Sequence, residues 1–159
     1  MIAFRQYKAC DAKTVTGWVK DKTSLFLWSA DRFRDFPLLP EVFDGIYSDK
    51  SLIGYIAEDD GNMIGHLFMQ DLGDGILKFG LIIVDPDKRG CGYGKKMLIS
   101  ALAFAKEKYS PTKVRLYAFD TNEAAYNCYK SLGFAETGSV IYHELDGQTH
   151  CYRQMEIEC

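Results

Sequence analysis

The chain is 159 residues long, 47% hydrophobic and 14% aromatic, enough for one domain with a sizeable core. That composition excludes disorder, collagen and low-complexity structure. Lys and Arg number 19 against 22 Asp and Glu, a net charge of −3, so the basic excess of a non-specific nucleic-acid binder is absent.

In chain order, Ile2 to Tyr7 alternates weakly and reads as a short strand. Asp11 is placed to cap a helix running to Trp18–Val19. Residues 24–47 carry Leu25, Phe26, Trp28, Phe33, Phe36, Leu38, Leu39, Phe43 and Tyr47 at roughly helical spacing, broken by Pro37 and Pro40, and read as two short helices. Two hairpin strands follow, Leu52–Glu58 and Met63–Asp71, joined by Asp59-Asp60-Gly61-Asn62. The apolar run Ile76–Val84 reads as a central strand buried on both faces, ended by Pro86. Gly94, Met97, Leu98, Ala101, Leu102 and Ala105 mark one face of the clearest helix, which Ser110-Pro111 stops. Val114–Phe119 is a strand, and Asn122–Leu132 a helix closed by Gly133. Phe134–Glu144 and Gln148–Ile157 form a last hairpin around Asp146-Gly147. The strand–helix–strand unit at 76–119 predicts a parallel pair with a right-handed crossover. No repeat or linker interrupts this mixed α/β pattern, so residues 1–159 are expected to be a single domain.

Cys10, Cys91, Cys128, Cys151 and Cys159 are odd in number and widely spaced, without Cys-x-x-Cys. They point to free thiols in a reducing compartment rather than disulfides or a zinc site. His66, His143 and His150 lack metal-ligand spacing and read as ordinary surface or half-buried residues. The N-terminus has no signal-like apolar run, and nothing approaches the ~20 apolar residues of a membrane span. The expectation is a soluble, cytoplasmic protein with no metal, nucleic-acid or membrane partner.

The informative segment is Val84-Asp-Pro-Asp-Lys-Arg89-Gly90-Cys91-Gly92-Tyr93-Gly94-Lys95-Lys96, between the buried strand and the amphipathic helix. Its glycines allow successive N–H groups to converge on one anion at the positive end of a helix. Lys88, Arg89, Lys95 and Lys96 raise the local potential, and the two lysines in the first helical turn oppose the dipole unless an anion is bound. The chemistry wanted is a phosphate or pyrophosphate. The dinucleotide pattern G-x-G-x-x-G fails at Lys95, and the P-loop pattern fails at Arg89 and Lys96.

What remains, Arg89-x-x-Gly92-x-Gly94 after a strand ending Val-Asp-Pro, resembles the pyrophosphate loop of the GNAT superfamily of N-acetyltransferases. A second block, Asn122-x-x-Ala125-x-x-x-Tyr129-x-x-x-Gly133-Phe134, resembles a further motif of that superfamily. The two blocks, in the right order and separation, cover about residues 76–135.

The resemblance implies an α/β (α+β) fold, a mostly antiparallel seven-stranded sheet flanked by about four helices. It also implies an acetyl-CoA-dependent N-acetyltransferase needing no metal. By position, N–H groups of Gly90, Cys91, Gly92, Tyr93, Gly94 and Lys95, beside Arg89, bind the pyrophosphate. Main-chain groups of Ile82, Ile83 and Val84 pair with the pantetheine arm, and an N–H near Val84 polarises the thioester carbonyl. Asn122 contacts the cofactor, and Tyr129 protonates the leaving thiolate. The acceptor is a primary amine, on a small molecule or on a protein or peptide, and a homodimer is compatible with the pattern. Without the motif, Tyr129 reads as an aromatic packed on Phe134, Asn122 as an N-cap, and Cys91 and Cys128 as incidental. Some members of the superfamily carry a basic glutamate on the strand before the second motif. Here that strand reads Arg115-Leu116-Tyr117-Ala118-Phe119. The general base stays open among Asp71, Tyr117, Tyr142, His143 and a water chain. A CoA-binding sensor without turnover is the alternative reading.

Overall fold

The computed structural model describes residues 1–159. Seven strands, β1 (Ile2–Gln6), β2 (Ile53–Asp59), β3 (Asn62–Asp71), β4 (Ile76–Val84), β5 (Lys113–Phe119), β6 (Ala135–Leu145) and β7 (Gln148–Glu158), form one sheet in the order β1-β2-β3-β4-β5-β7-β6. Only β4 and β5 pair in parallel. Five helices cover the sheet: α1 (Ala12–Gly17), α2 (Lys22–Ser29), α3 (Pro40–Asp44), α4 (Tyr93–Tyr109) and α5 (Glu123–Ser131).

One core lies between the sheet and α4 with α5. Met97, Leu98, Ala101 and Ala105, on the predicted face of α4, pack there against Leu67, Phe79 and Leu116. A second core lies on the opposite face, where Phe43, Val15 and Leu25 of the N-terminal helices meet Ile56, Phe68 and Ile83. The hairpin turns at Asp60-Gly61 and Asp146-Gly147 each hold two consecutive residues at positive φ, matching the right-handed twist of their strands.

Two expectations are corrected. Asp11 does not cap α1 with its side chain. Its two oxygens instead accept from the Arg5 guanidinium at 2.9 Å each, and Oδ2 also accepts from the Lys8 N–H at 2.8 Å. The guanidinium fork takes both carboxylate oxygens. The cap among these helices is Asp21, which accepts from the Ser24 N–H at 2.7 Å.

The second correction concerns β4, which is not buried evenly on both faces. Leu77, Phe79, Leu81 and Ile83 are buried while the residues between them are half-buried. A bulge also interrupts the strand at Leu81, whose φ is +47°. His66 pairs with Ile83 but Phe68 pairs with Gly80, so β4 carries one extra residue. Side chains change face across such an insertion. Leu77 and Phe79 therefore join the α4 core, whereas Leu81 and Ile83 join the opposite one.

Candidate active site

The β4–β5 ladder stops almost as soon as it starts. Only Ile76, Leu77 and Lys78 pair with Lys113, Val114 and Arg115. Beyond them the strands diverge, leaving one edge of β4 from Phe79 to Val84 without a strand partner. A cavity of about 1040 Å³ occupies the opening. Its walls come from α2, β4, the loop before α4, β5, α5 and the last hairpin.

At one end lies the glycine loop. Gly90 and Gly92 both have φ +78°, and a Cβ on either would meet nothing within 4 Å. Glycine is therefore called for here by the left-handed backbone and not by any neighbouring protein atom. None of the N–H groups from Gly90 to Lys95 donates a hydrogen bond within the chain, and the first backbone bond of α4 is Lys96 N–H to Gly92 C=O. Six successive donors at a helix N-terminus, beside Arg89 and Lys95, can cradle a diphosphate. Arg89, Gly90, Gly92, Tyr93, Gly94 and Lys95 line the cavity, and Cys91 does not.

In the middle lies the bulged strand, with Ile82, Ile83 and Val84 on the cavity wall. His66 holds the bulge and is neither a surface nor a half-buried residue but fully buried. Its Nδ1–H donates to the Leu81 carbonyl at 3.0 Å, and its Nε2 accepts from the Tyr47 hydroxyl at 2.6 Å. The carbonyl can only accept, which fixes the tautomer. Burial pushes His66 down to about 4, so the ring is neutral at neutral pH.

Across the opening, Asn122 caps α5, its Oδ1 accepting from the Ala125 N–H at 3.5 Å, and it also lines the cavity. The end of α5 explains the position of Tyr129. Gly133 N–H bonds Lys130 C=O and Phe134 N–H bonds Tyr129 C=O, the paired closure that a left-handed glycine permits. That closure brings Phe134 against Tyr129, ring centroids 6.1 Å apart. Tyr129 is buried in its packing yet reaches the cavity wall, and its hydroxyl has no hydrogen-bond partner in the chain. Burial pushes its pKa well above the ordinary tyrosine value, so the hydroxyl keeps its proton at neutral pH. Cys128 lines the same wall, and burial pushes its thiol up, which disfavours the thiolate a nucleophile needs.

At the far end, α2 and the last hairpin supply groups that sequence reasoning passed over or left open. His143 lines the cavity and its Nδ1 lies 2.7 Å from Asp31 Oδ2. Trp28 packs with Phe33 and Phe43 in a three-ring cluster, and its indole N–H is the buried side-chain donor left without a partner. Arg32 and Lys78 stand over the Phe68 ring. Of the other base candidates, Tyr117 lines the cavity with its hydroxyl engaged by Gln154 at 2.7 Å. Asp71 accepts from Gly73 N–H, and Tyr142 is 67% exposed; neither lines the cavity. Lys78 did leave a trace in the sequence, as the one charge inside the apolar run 76–84.

A model of the acetyltransferase (GNAT) family matches residues 18–134. The chain belongs to that family. Among curated relatives of this GNAT chain, a UPF0039 protein of Schizosaccharomyces pombe is 35% identical over 81 residues, 51% of each chain. A mycothiol acetyltransferase of Thermomonospora curvata is 32% identical over 80 residues, 50% of this chain and 27% of that one. The match thus spans about half the length of the first relative and less of the second. Among solved structures, a Vibrio cholerae spermidine N-acetyltransferase in complex with CoA and spermine superposes with a TM-score of 0.81 at 20% identity, covering 99% of this chain and 95% of that one. The seven-stranded GNAT architecture is therefore present, with the expected mixed sheet and five helices where about four were predicted. No helix is long and apolar enough to cross a membrane.

Proposed function

We propose that the protein is an N-acetyltransferase that moves an acetyl group from acetyl-CoA to a primary amine. One observation carries the reading: a single cavity runs from the unpaired N–H groups of Gly90–Lys95, past the unpartnered edge of β4, to Tyr129 and on to the α2 wall. The donors fit a diphosphate, and the open strand edge fits an amide-bearing arm that completes the missing pairing. In this reading Arg89, Gly90, Cys91, Gly92, Tyr93, Gly94 and Lys95 hold the pyrophosphate, Cys91 through its N–H alone. Ile82, Ile83 and Val84 hold the arm, and Asn122 flanks it. Residues 1–159 act as one catalytic domain, since strands from both ends of the chain share one sheet.

The chemistry is a direct displacement. The neutral amine attacks the thioester carbonyl, a C–N bond forms, the C–S bond breaks, and CoA leaves as the thiol. Main-chain N–H groups near the bulge stabilise the developing oxyanion. Tyr129 delivers a proton to sulfur. His143, oriented by Asp31, takes the proton from nitrogen. The exposed thiols Cys10 and Cys159 suit a reducing, cytoplasmic setting.

The test is a thiol-release assay with acetyl-CoA over a broad panel of amines. Release that depends on an amine supports the reading. Firm CoA binding with no release for any amine would replace it with that of an acyl-CoA sensor.

A further inference from the structure

We propose that Arg32 and Lys78 form an anion subsite, so that the acceptor is a small primary amine carrying a carboxylate, an amino acid or short peptide rather than a polyamine. This rests on the N-acetyltransferase reading and names the substrate class of the same cavity.

The charge inventory of the cavity is lopsided. Its lining contains the cations Arg32, Lys78, Arg89 and Lys95 against the single carboxylate Asp31. Arg89 and Lys95 belong to the glycine loop. Arg32 and Lys78 do not, and they sit together on the other side: the Arg32 guanidinium carbon is 5.4 Å from the Phe68 ring centroid and Lys78 Nζ is 5.9 Å from it. Lys78 Nζ also lies 5.3 Å from the Tyr117 centroid. The two cations touch aromatic faces, yet neither has a carboxylate within ion-pair distance. The nearby acids are occupied elsewhere. Asp31 bonds His143 and pairs with Arg34. Asp49 accepts from Ser51, and Glu156 pairs with Arg115.

A half-buried ammonium without a counter-charge carries a desolvation cost that a bound anion offsets. Burial, then the neighbouring Arg32 and Arg115, push the Lys78 pKa down, which is the signature of a cation lacking its partner. Both groups are donor-only, so the ligand atoms that satisfy them must be acceptors. A polyamine would add cations to this patch and meet repulsion instead. The bulge at Leu81 is three residues from Lys78, about 10 Å along the backbone, but the flexible Lys78 stem leans back along the strand: Nζ lies 5.9 Å from the Phe68 ring, and that ring packs on Gly80 beside the bulge. An anion on the ammonium and an amine near the bulge therefore fit within one amino acid or short peptide.

The experiment pairs each of the twenty amino acids with its carboxamide and adds spermidine, using the full chain and acetyl-CoA, for wild type, Lys78→Met and Arg32→Gln. The expected result is a wild-type kcat/KM at least tenfold higher for the best carboxylate than for its amide. Lys78→Met should abolish that preference by losing the carboxylate rate alone, and Arg32→Gln should reduce it. Lys78→Met removes an unpaired half-buried charge, so its melting temperature should hold or rise, which separates a specificity effect from unfolding. Calorimetric binding of the N-acetyl amino acids and of their amides is measured in parallel, because it reads the subsite without turnover. Equal use of carboxylate and amide, a preference for spermidine, or equal binding of the two products would overturn the anion subsite. Absence of turnover with every amine would instead count against the N-acetyltransferase reading, and the binding comparison would still decide the subsite.

Discussion

Replacing Gly92 with alanine separates the phosphate cradle from ordinary loop geometry. Gly92 has φ +78°, and an added Cβ would meet nothing within 4 Å, so no protein atom opposes the methyl group. The cost in the free protein is therefore the left-handed backbone alone, ~1–2 kcal/mol. For a domain of this size that lowers the melting temperature by roughly 2–8 °C. Toward CoA the consequence is larger. Alanine pulls φ toward negative values and re-aims the N–H groups on either side of residue 92, which have no acceptor in the chain. Each hydrogen bond to a charged phosphate oxygen is worth about 1.5–3 kcal/mol, so losing one weakens binding ~10- to 150-fold. Gly147 provides a matched control, with φ +76° and nothing within 4 Å of an added Cβ, in the turn between β6 and β7. Gly147→Ala should lose the same few degrees and keep wild-type CoA affinity. Calorimetric titration with CoA and a thermal melt on all three proteins decide the matter. Wild-type CoA affinity in folded Gly92→Ala, or an equal loss in Gly147→Ala, would refute the assignment of the cradle.

Tyr129→Phe keeps the packing on Phe134 and removes only the hydroxyl; kcat is predicted to fall ~10–100-fold with CoA affinity unchanged, and an unaltered kcat would return Tyr129 to a packing role. His143→Gln is predicted to lower kcat/KM ~100-fold or more with intact CoA binding, checked by steady-state kinetics against Tyr117→Phe, which should change little if His143 is the base. His66 is held at about 4 against an ordinary 6.5, so between those values the unfolded chain binds the proton and the folded chain does not. Its contribution is present above pH 6.5 and is lost as pH falls toward 4, by roughly 3 kcal/mol at most. Denaturant melts across that window should show the slope in wild type and lose it in His66→Gln.

Local signals in the chain settled a great deal. The repeat of Gly94, Met97, Leu98, Ala101, Leu102 and Ala105 fixed the buried face of α4, because a 3.6-residue period depends on no other part of the molecule. Asp60-Gly61, Asp146-Gly147 and Gly133 marked their turns for the same reason, since positive φ is a property of one or two residues. Arg89-x-x-Gly92-x-Gly94 pointed to the family and to the proposed cradle because a phosphate loop is built from consecutive main-chain groups. Tertiary structure decided the rest. The bulge at Leu81 depends on His66 and Tyr47, which reach it from β3 and from the segment before β2. The insertion of β7 between β5 and β6 is a pairing among strands distant in sequence. Asp31 meets His143 across 112 positions, and Arg32 meets Lys78 only on the Phe68 ring. Electrostatic and packing contacts of that kind carry no period and no spacing along the chain. The proposed cradle was therefore legible in the sequence, whereas the opposite end of the cavity came into being only when the sheet closed beneath the N-terminal helices.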